Sequence, residues 1–157
     1  MSVRRIGVTE NVRALDTLAD VDYCAVFELT PAASGRTALQ WARATFEGGP
    51  SPLCWLVYTG WRFGLGLRLG PRVDPDHVLG CRIVLAEPDL VILEQRSRLM
   101  IAHNVVIRDE ATLRWATFVR YDRPVGRPLW SVAAPVHRRL LPFLLARAAA
   151  RRPVHQR

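Results

Sequence analysis

Two histidines carry most of the chemistry available to this chain. His137 falls in Val132-Ala133-Ala134-Pro135-Val136-His137-Arg138, on the apolar face of an expected helix, and His103 lies in the apolar run from Leu99 to Ile107. Imidazole titrates near pH 6.5, so two such rings facing one cavity can act as acid and base. A core histidine whose ring nitrogens are satisfied by Tyr121, Gln95 or Thr117 fits the same pattern. A metal site finds no third ligand, because the strand positions assigned to the interior carry no carboxylate. No cofactor is implied.

Several side chains can surround these rings. Trp115 and Tyr121 fall at inward strand positions, and Trp55, Tyr58 and Trp61 at an apolar helix, where they line an aromatic pocket or fill a core. Gln95 is an amide at an inward position, suited to orienting a ligand oxygen. Thr117, Leu93, Ile101, Leu140 and Leu144 complete the expected lining. Gly64-Leu65-Gly66-Leu67-Arg68-Leu69-Gly70 does not make a dinucleotide loop: its last glycine is one residue late, and no strand precedes it. Ser34, Ser51, Ser97 and Ser131 lack both a nucleophile elbow and a paired base.

The elements that must hold these residues follow from periodicity. Tyr23 to Leu29 alternates as a strand, with Tyr23, Ala25, Phe27 and Leu29 on one face. Ser34 or Thr37 caps a helix carrying Leu39, Trp41, Ala42 and Phe46, which stops at Gly48-Gly49-Pro50. The apolar segment from Leu53 to Leu69 reads as a second helix, buried or lid-like, ending near Gly70-Pro71. Arg62 in its middle and three glycines argue against a membrane span.

Four strands follow, Val78 to Leu85, Leu90 to Arg96, Leu99 to Ile107 and Leu113 to Tyr121, with separators short enough to require antiparallel hairpins. Charges mark one face of each strand. The other parity points inward: Leu79, Cys81, Ile83, Leu85; Val91, Leu93, Gln95; Leu99, Ile101, His103, Val105, Ile107; and Leu113, Trp115, Thr117, Val119, Tyr121. A last helix from about Leu129 to Arg151 turns Trp130, Ala133, His137, Leu140, Leu141, Leu144 and Ala148 to one side. The expected fold is therefore α+β, a curved antiparallel sheet wrapped around a long C-terminal helix, in the order β-α-α-β-β-β-β-α. Residues 1–19 form an irregular N-terminal arm.

Composition limits the partners. All 22 basic residues of this 157-residue chain are arginine, and the net charge is +8. The arginines are scattered, clustering only at Arg147, Arg151, Arg152 and Arg157, without the aromatic-interleaved patch of a nucleic-acid surface, so no nucleic-acid partner is expected. Cys24, Cys54 and Cys81 are far apart and odd in number, which fits a reducing, cytoplasmic setting better than a disulfide framework. The arginines near the N-terminus lack the apolar run of a signal peptide behind them. Pairing into a homodimer stays open.

The early Ala38-Leu39-Gln40-Trp41-Ala42-Arg43 helix and the Trp115-Ala116-Thr117-Phe118-Val119 strand carry a resemblance, together with Gly126-Arg127-Pro128-Leu129-Trp130 and the entry to the last helix. With this element order, the chain resembles the helix-grip fold of the START-like (SRPBCC) superfamily of polyketide cyclases, plant allergens and lipid-transfer domains. More narrowly it looks like the uncharacterised bacterial family DUF2867. The likeness implies a single START-like domain over residues 1–157, with its core at about 20–152 and a basic tail at 153–157. It also implies a small hydrophobic or aromatic ligand between sheet and long helix. A cyclase- or dehydratase-like enzyme using an inward histidine is one alternative, and a protein or membrane-surface interaction module another. The four-strand run is shorter than the superfamily's usual six, so the ligand space is either a deep cavity or a shallow groove.

Overall fold

The computed structural model describes residues 2–32 and 35–151. Ser34 and the basic tail 153–157, with Arg152 and Arg157, lie outside the described residues. The chain is α+β: one antiparallel, curved sheet with a long C-terminal helix across it. The strands are β1 (Ser2–Ile6), β2 (Tyr23–Thr30), β3 (Val73–Asp74), β4 (His77–Val78), β5 (Cys81–Glu87), β6 (Leu90–Arg96), β7 (Met100–Asp109) and β8 (Thr112–Tyr121). They lie in the order β1-β2-β8-β7-β6-β5-β4-β3. The helices are α1 (Glu10–Ala14), α2 (Ala38–Phe46), α3 (Ser51–Thr59) and α4 (Gly126–Ala150).

The expected order is contained in this one, with additions. The segment expected to be an irregular arm supplies β1, paired with β2, and the short helix α1, capped by Thr9. Val12 of α1 packs with Val26, Ile92, Val105, Ala116 and Phe118, covering the face of the sheet turned away from α4. Two-residue strands β3 and β4 extend the other edge, and the expected strand Val78 to Leu85 is broken by a turn at Leu79-Gly80, both at positive φ, so that Val78 ends β4 and Cys81 begins β5.

On the inner face, α2 begins at a capping box. Thr37 Oγ1 accepts the Gln40 N–H at 3.2 Å, and Gln40 Oε1 accepts the Thr37 N–H at 2.8 Å. Trp41, Ala42 and Phe46 of α2 pack with Phe27, Leu29, Leu93, Trp115 and α4's Leu141, Leu144 and Leu145. The buried Arg36 donates to the carbonyls of Ala148 and Arg151 at 2.8 and 2.6 Å, satisfying acceptors that the end of α4 leaves open.

The apolar segment after Pro50 is helical only to Thr59. It then loosens into a π-helical turn, Gly60–Gly64, in which Gly60 O accepts from Leu65 N at 3.2 Å. Glycines at both ends of this turn give up helix propensity, and that stops the helix short of Gly70-Pro71. Among the described residues no helix is long and apolar enough to cross a membrane.

Two strands depart from the expected parity. In β7, Met100, Ala102, Asn104 and Val106 face α4, so Ile101, His103 and Val105 face the N-terminal arm. A register shift between Ile83 and Leu85 turns Leu85 to the outer face as well.

Candidate functional site

The inner core divides into two parts. One contains Trp41, Phe46, Trp115 and the end of α4; the other contains Met100, Ala102, Val119, Trp130 and Ala134 at its start. Between them lies a cavity of about 500 Å³, within the range of small-molecule sites. The sheet forms its floor, α4 one wall, and α3 with the π-helical turn the other. Leu56, Val132 and Val136 line it and are 69%, 77% and 62% exposed, which places its mouth between α3 and the first turns of α4.

A row of polar side chains crosses this apolar space. Gln95 on β6, Asn104 on β7, Thr117 on β8 and His137 on α4 all line it. Asn104 sits directly across from Thr117 in the strand register, and Gln95 is a diagonal neighbour through its partner Ala102. Trp115 Nε1–H donates to Asn104 Oδ1 at 3.0 Å, and the Thr117 hydroxyl donates to the same oxygen at 2.9 Å. An indole N–H can only donate, so the amide atom it meets is the carbonyl oxygen, and the Nδ2 donor is left over. Gln95 Nε2–H donates to Cys81 Sγ at 2.9 Å, leaving Oε1 as an acceptor, and burial pushes the Cys81 thiol's pKa up, keeping it neutral.

His137 Nε2 lies 3.2 Å from Thr117 Oγ1. Because the Thr117 proton is committed to Asn104, Nε2–H donates and Nδ1 carries the lone pair. That Nδ1 is buried without a partner, as are Nε1 of Trp130 and the hydroxyl of Tyr23 on two neighbouring rings. Burial, with Arg138 adding to it, pushes the His137 pKa down to about 4, so the ring is neutral at pH 7.

His103 does not share this cavity. It is buried on the opposite face of the sheet, Nδ1 donating to Asp16 Oδ1 at 2.6 Å and Nε2 to Glu94 Oε2 at 3.0 Å. Burial lowers its pKa, but hydrogen bonds to Asp16 and Glu94 outweigh burial and leave it raised. Arg96, and then His103, hold Glu94 at about 2 against the opposing pull of burial. This cluster fastens the segment after α1 to the sheet.

Of the other expected lining residues, Trp61, Thr117, Gln95, Leu140 and Leu144 reach the cavity. Ile101 faces outward with the rest of its parity. Leu93 and Trp115 face inward but lie beneath the wall, Trp115 closed off by the edge of Phe46 at 4.9 Å. Tyr58 turns aside to donate to Gly70 O at 3.3 Å. Tyr121 sits over a separate surface depression with Asp22, Asp122 and Arg127. Asn104, which joins Trp115 to Thr117, has no signal in the sequence beyond being an amide in an apolar run. Charges at both ends of that run pointed to the wrong parity: Arg98 belongs to the turn before β7, and Arg108 bonds Asp89 at the strand's far end. No protein-family model, curated protein or solved structure matches this chain.

Proposed function

We propose that the protein binds a small hydrophobic molecule between its sheet and α4, as its likeness to the START-like helix-grip fold implies. The observation that supports this most is the cavity of about 500 Å³, because an ordinary protein interior leaves only voids near the size of a water molecule. Its mouth is apolar and continuous with the surface. The cyclase- or dehydratase-like alternative has less support. His137 donates its only N–H to Thr117, its Nδ1 is closed off, and His103 lies behind the sheet.

Native mass spectrometry of the protein purified from its own host tests the reading. The expected result is a non-covalent small-molecule adduct that is lost on unfolding and absent from an Ala133→Phe variant, whose added ring fills the lined space. A bare mass for folded wild type counts against it.

A second reading draws on one observation. Phe63, at 76% exposure, and Trp55 and Leu56 stand out from α3 and the π-helical turn beside the cavity mouth, with Arg62 and Arg72 lying over the rings of Phe63 and Trp55. Apolar side chains paired with cations suit an anionic membrane surface. Co-sedimentation with anionic vesicles, lost in a Leu56→Ser/Phe63→Ser double variant, supports that reading; equal sedimentation of both proteins removes it.

A further inference from the structure

The chemistry of the cavity wall narrows what it can hold. In a chain that is 23% charged, none of the described residues lining the cavity is Asp, Glu or Arg. Its polar side chains are two amides, one hydroxyl, one imidazole and the indoles of Trp61 and Trp130, all uncharged at pH 7 with His137 kept neutral by burial. An ionised group entering this space loses its water and meets no counter-charge. An uncharged polar group, by contrast, finds a leftover donor and a leftover acceptor at diagonal positions of adjacent strands. Asn104 has Nδ2 left over once Trp115 and Thr117 have taken its Oδ1, and Gln95 has Oε1 left over once Nε2 has met Cys81. Both amides are over nine-tenths buried, and both lie on one face of adjacent strands. A hydroxyl both accepts and donates, so one oxygen can satisfy the pair.

We propose that the cavity selects neutral ligands, an apolar body carrying one alcohol group that Asn104 and Gln95 receive at the sheet floor, and that it rejects carboxylate and ammonium counterparts of the same chain. This rests on the ligand-binding reading of the cavity and names the class of ligand. Gln95 is the specificity-determining residue. Asn104 is committed to Trp115 and Thr117 whatever is bound, whereas Gln95 is held only by a thiol, a weak acceptor.

The test uses the uncharged fluorophore N-phenyl-1-naphthylamine as reporter at pH 7.5, displaced by 1-decanol, decanoate or decyltrimethylammonium below their aggregation limits. Wild type is expected to bind the fluorophore saturably, and Ala133→Phe to lose that binding while remaining folded by circular dichroism. 1-Decanol should displace the fluorophore at concentrations at least about tenfold below either ion. In Gln95→Leu, which leaves only the Cys81 thiol without its donor, the affinity for 1-decanol should fall by about fivefold or more relative to whatever change the fluorophore's own affinity shows.

If either ion matches 1-decanol, or if Gln95→Leu binds 1-decanol as wild type does, the selectivity is overturned while the cavity reading survives. If wild type does not bind the fluorophore, or folded Ala133→Phe binds it undiminished, the cavity reading falls and the selectivity with it.

Discussion

His137 and Thr117 meet with 3.2 Å between Nε2 and Oγ1, and this contact fixes which ring nitrogen carries the proton. The Thr117 hydroxyl hydrogen points to Asn104, so the helix must donate to the sheet through Nε2–H. A long-range proton–nitrogen NMR spectrum at pH 7 should show Nδ1 unprotonated; a protonated Nδ1 would break the chain of donors from His137 to Asn104.

The same ring makes stability fall in acid. Its folded pKa of about 4 lies below the unfolded value near 6.5, so as pH drops the unfolded chain takes up the proton first. Stability is fully present above pH 6.5 and declines between 6.5 and 4, by on the order of 3 kcal/mol. Urea unfolding of wild type and His137→Phe at pH 7.5 and 4.5 checks this. The variant should lose clearly less stability in acid, and equal losses would refute the buried neutral ring.

His103 has the opposite sign. Its folded pKa is raised, so its contribution is present below pH 6.5 and lost as pH rises through the folded value. His103→Leu removes that alkaline loss and takes the buried Asp16 carboxylate's cation away, while Glu94 keeps Arg82 and Arg96, a cost of about 3 to 5 kcal/mol for a broken buried pair. Hydrogen exchange across Glu10–Ala14 should quicken in the variant, because the cluster fastens α1's segment to the sheet. Unchanged exchange there would show that Val12 packing alone holds the segment.

Asn104→Leu leaves two buried donors, Trp115 Nε1–H and the Thr117 hydroxyl, without their acceptor. The expected destabilisation is about 2 to 4 kcal/mol by thermal or urea unfolding. Thr117→Val removes one of these bonds and frees Nε2–H of His137, and should cost less, about 1 to 2 kcal/mol. A Thr117→Val cost equal to or above that of Asn104→Leu would mean that the amide is not the hub of the row.

Thiol reagents should separate the three cysteines. Cys24 is half-buried on the outer face, whereas Cys54 and Cys81 are buried and Cys81 is held as the unreactive thiol. Folded protein treated with 5,5′-dithiobis(2-nitrobenzoate) should be modified at Cys24 first, with Cys81 reacting only after denaturant is added. Early labelling of Cys81, read by peptide mass spectrometry, would show that the β5–β6 pair beside the cavity opens in solution.

The succession of hairpins and the long last helix were written in local patterns. Glu87-Pro88-Asp89 and Arg108-Asp109-Glu110 interrupt apolar runs at spacings too short for a crossover, and the period of α4 continues through Pro135 and Pro142. The inward side of β2 and β8 was legible for the same reason, since their cores alternate without contradiction. Only tertiary structure could orient β7. From Met100 to Val106 it is buried on both faces, with His103 and Asn104 side by side and equally able to be the inward polar residue. The choice was made by Asp16, 87 positions away, which draws His103 outward and leaves Asn104 to the cavity. Asp16 belongs to a segment whose sequence shows no clear period, and its role arises when Val12 packs on the outer face. A one-residue change of parity in one central strand thus separated the two histidines, because side chains alternate across a sheet and burial on both sides erases the signal that would say which way.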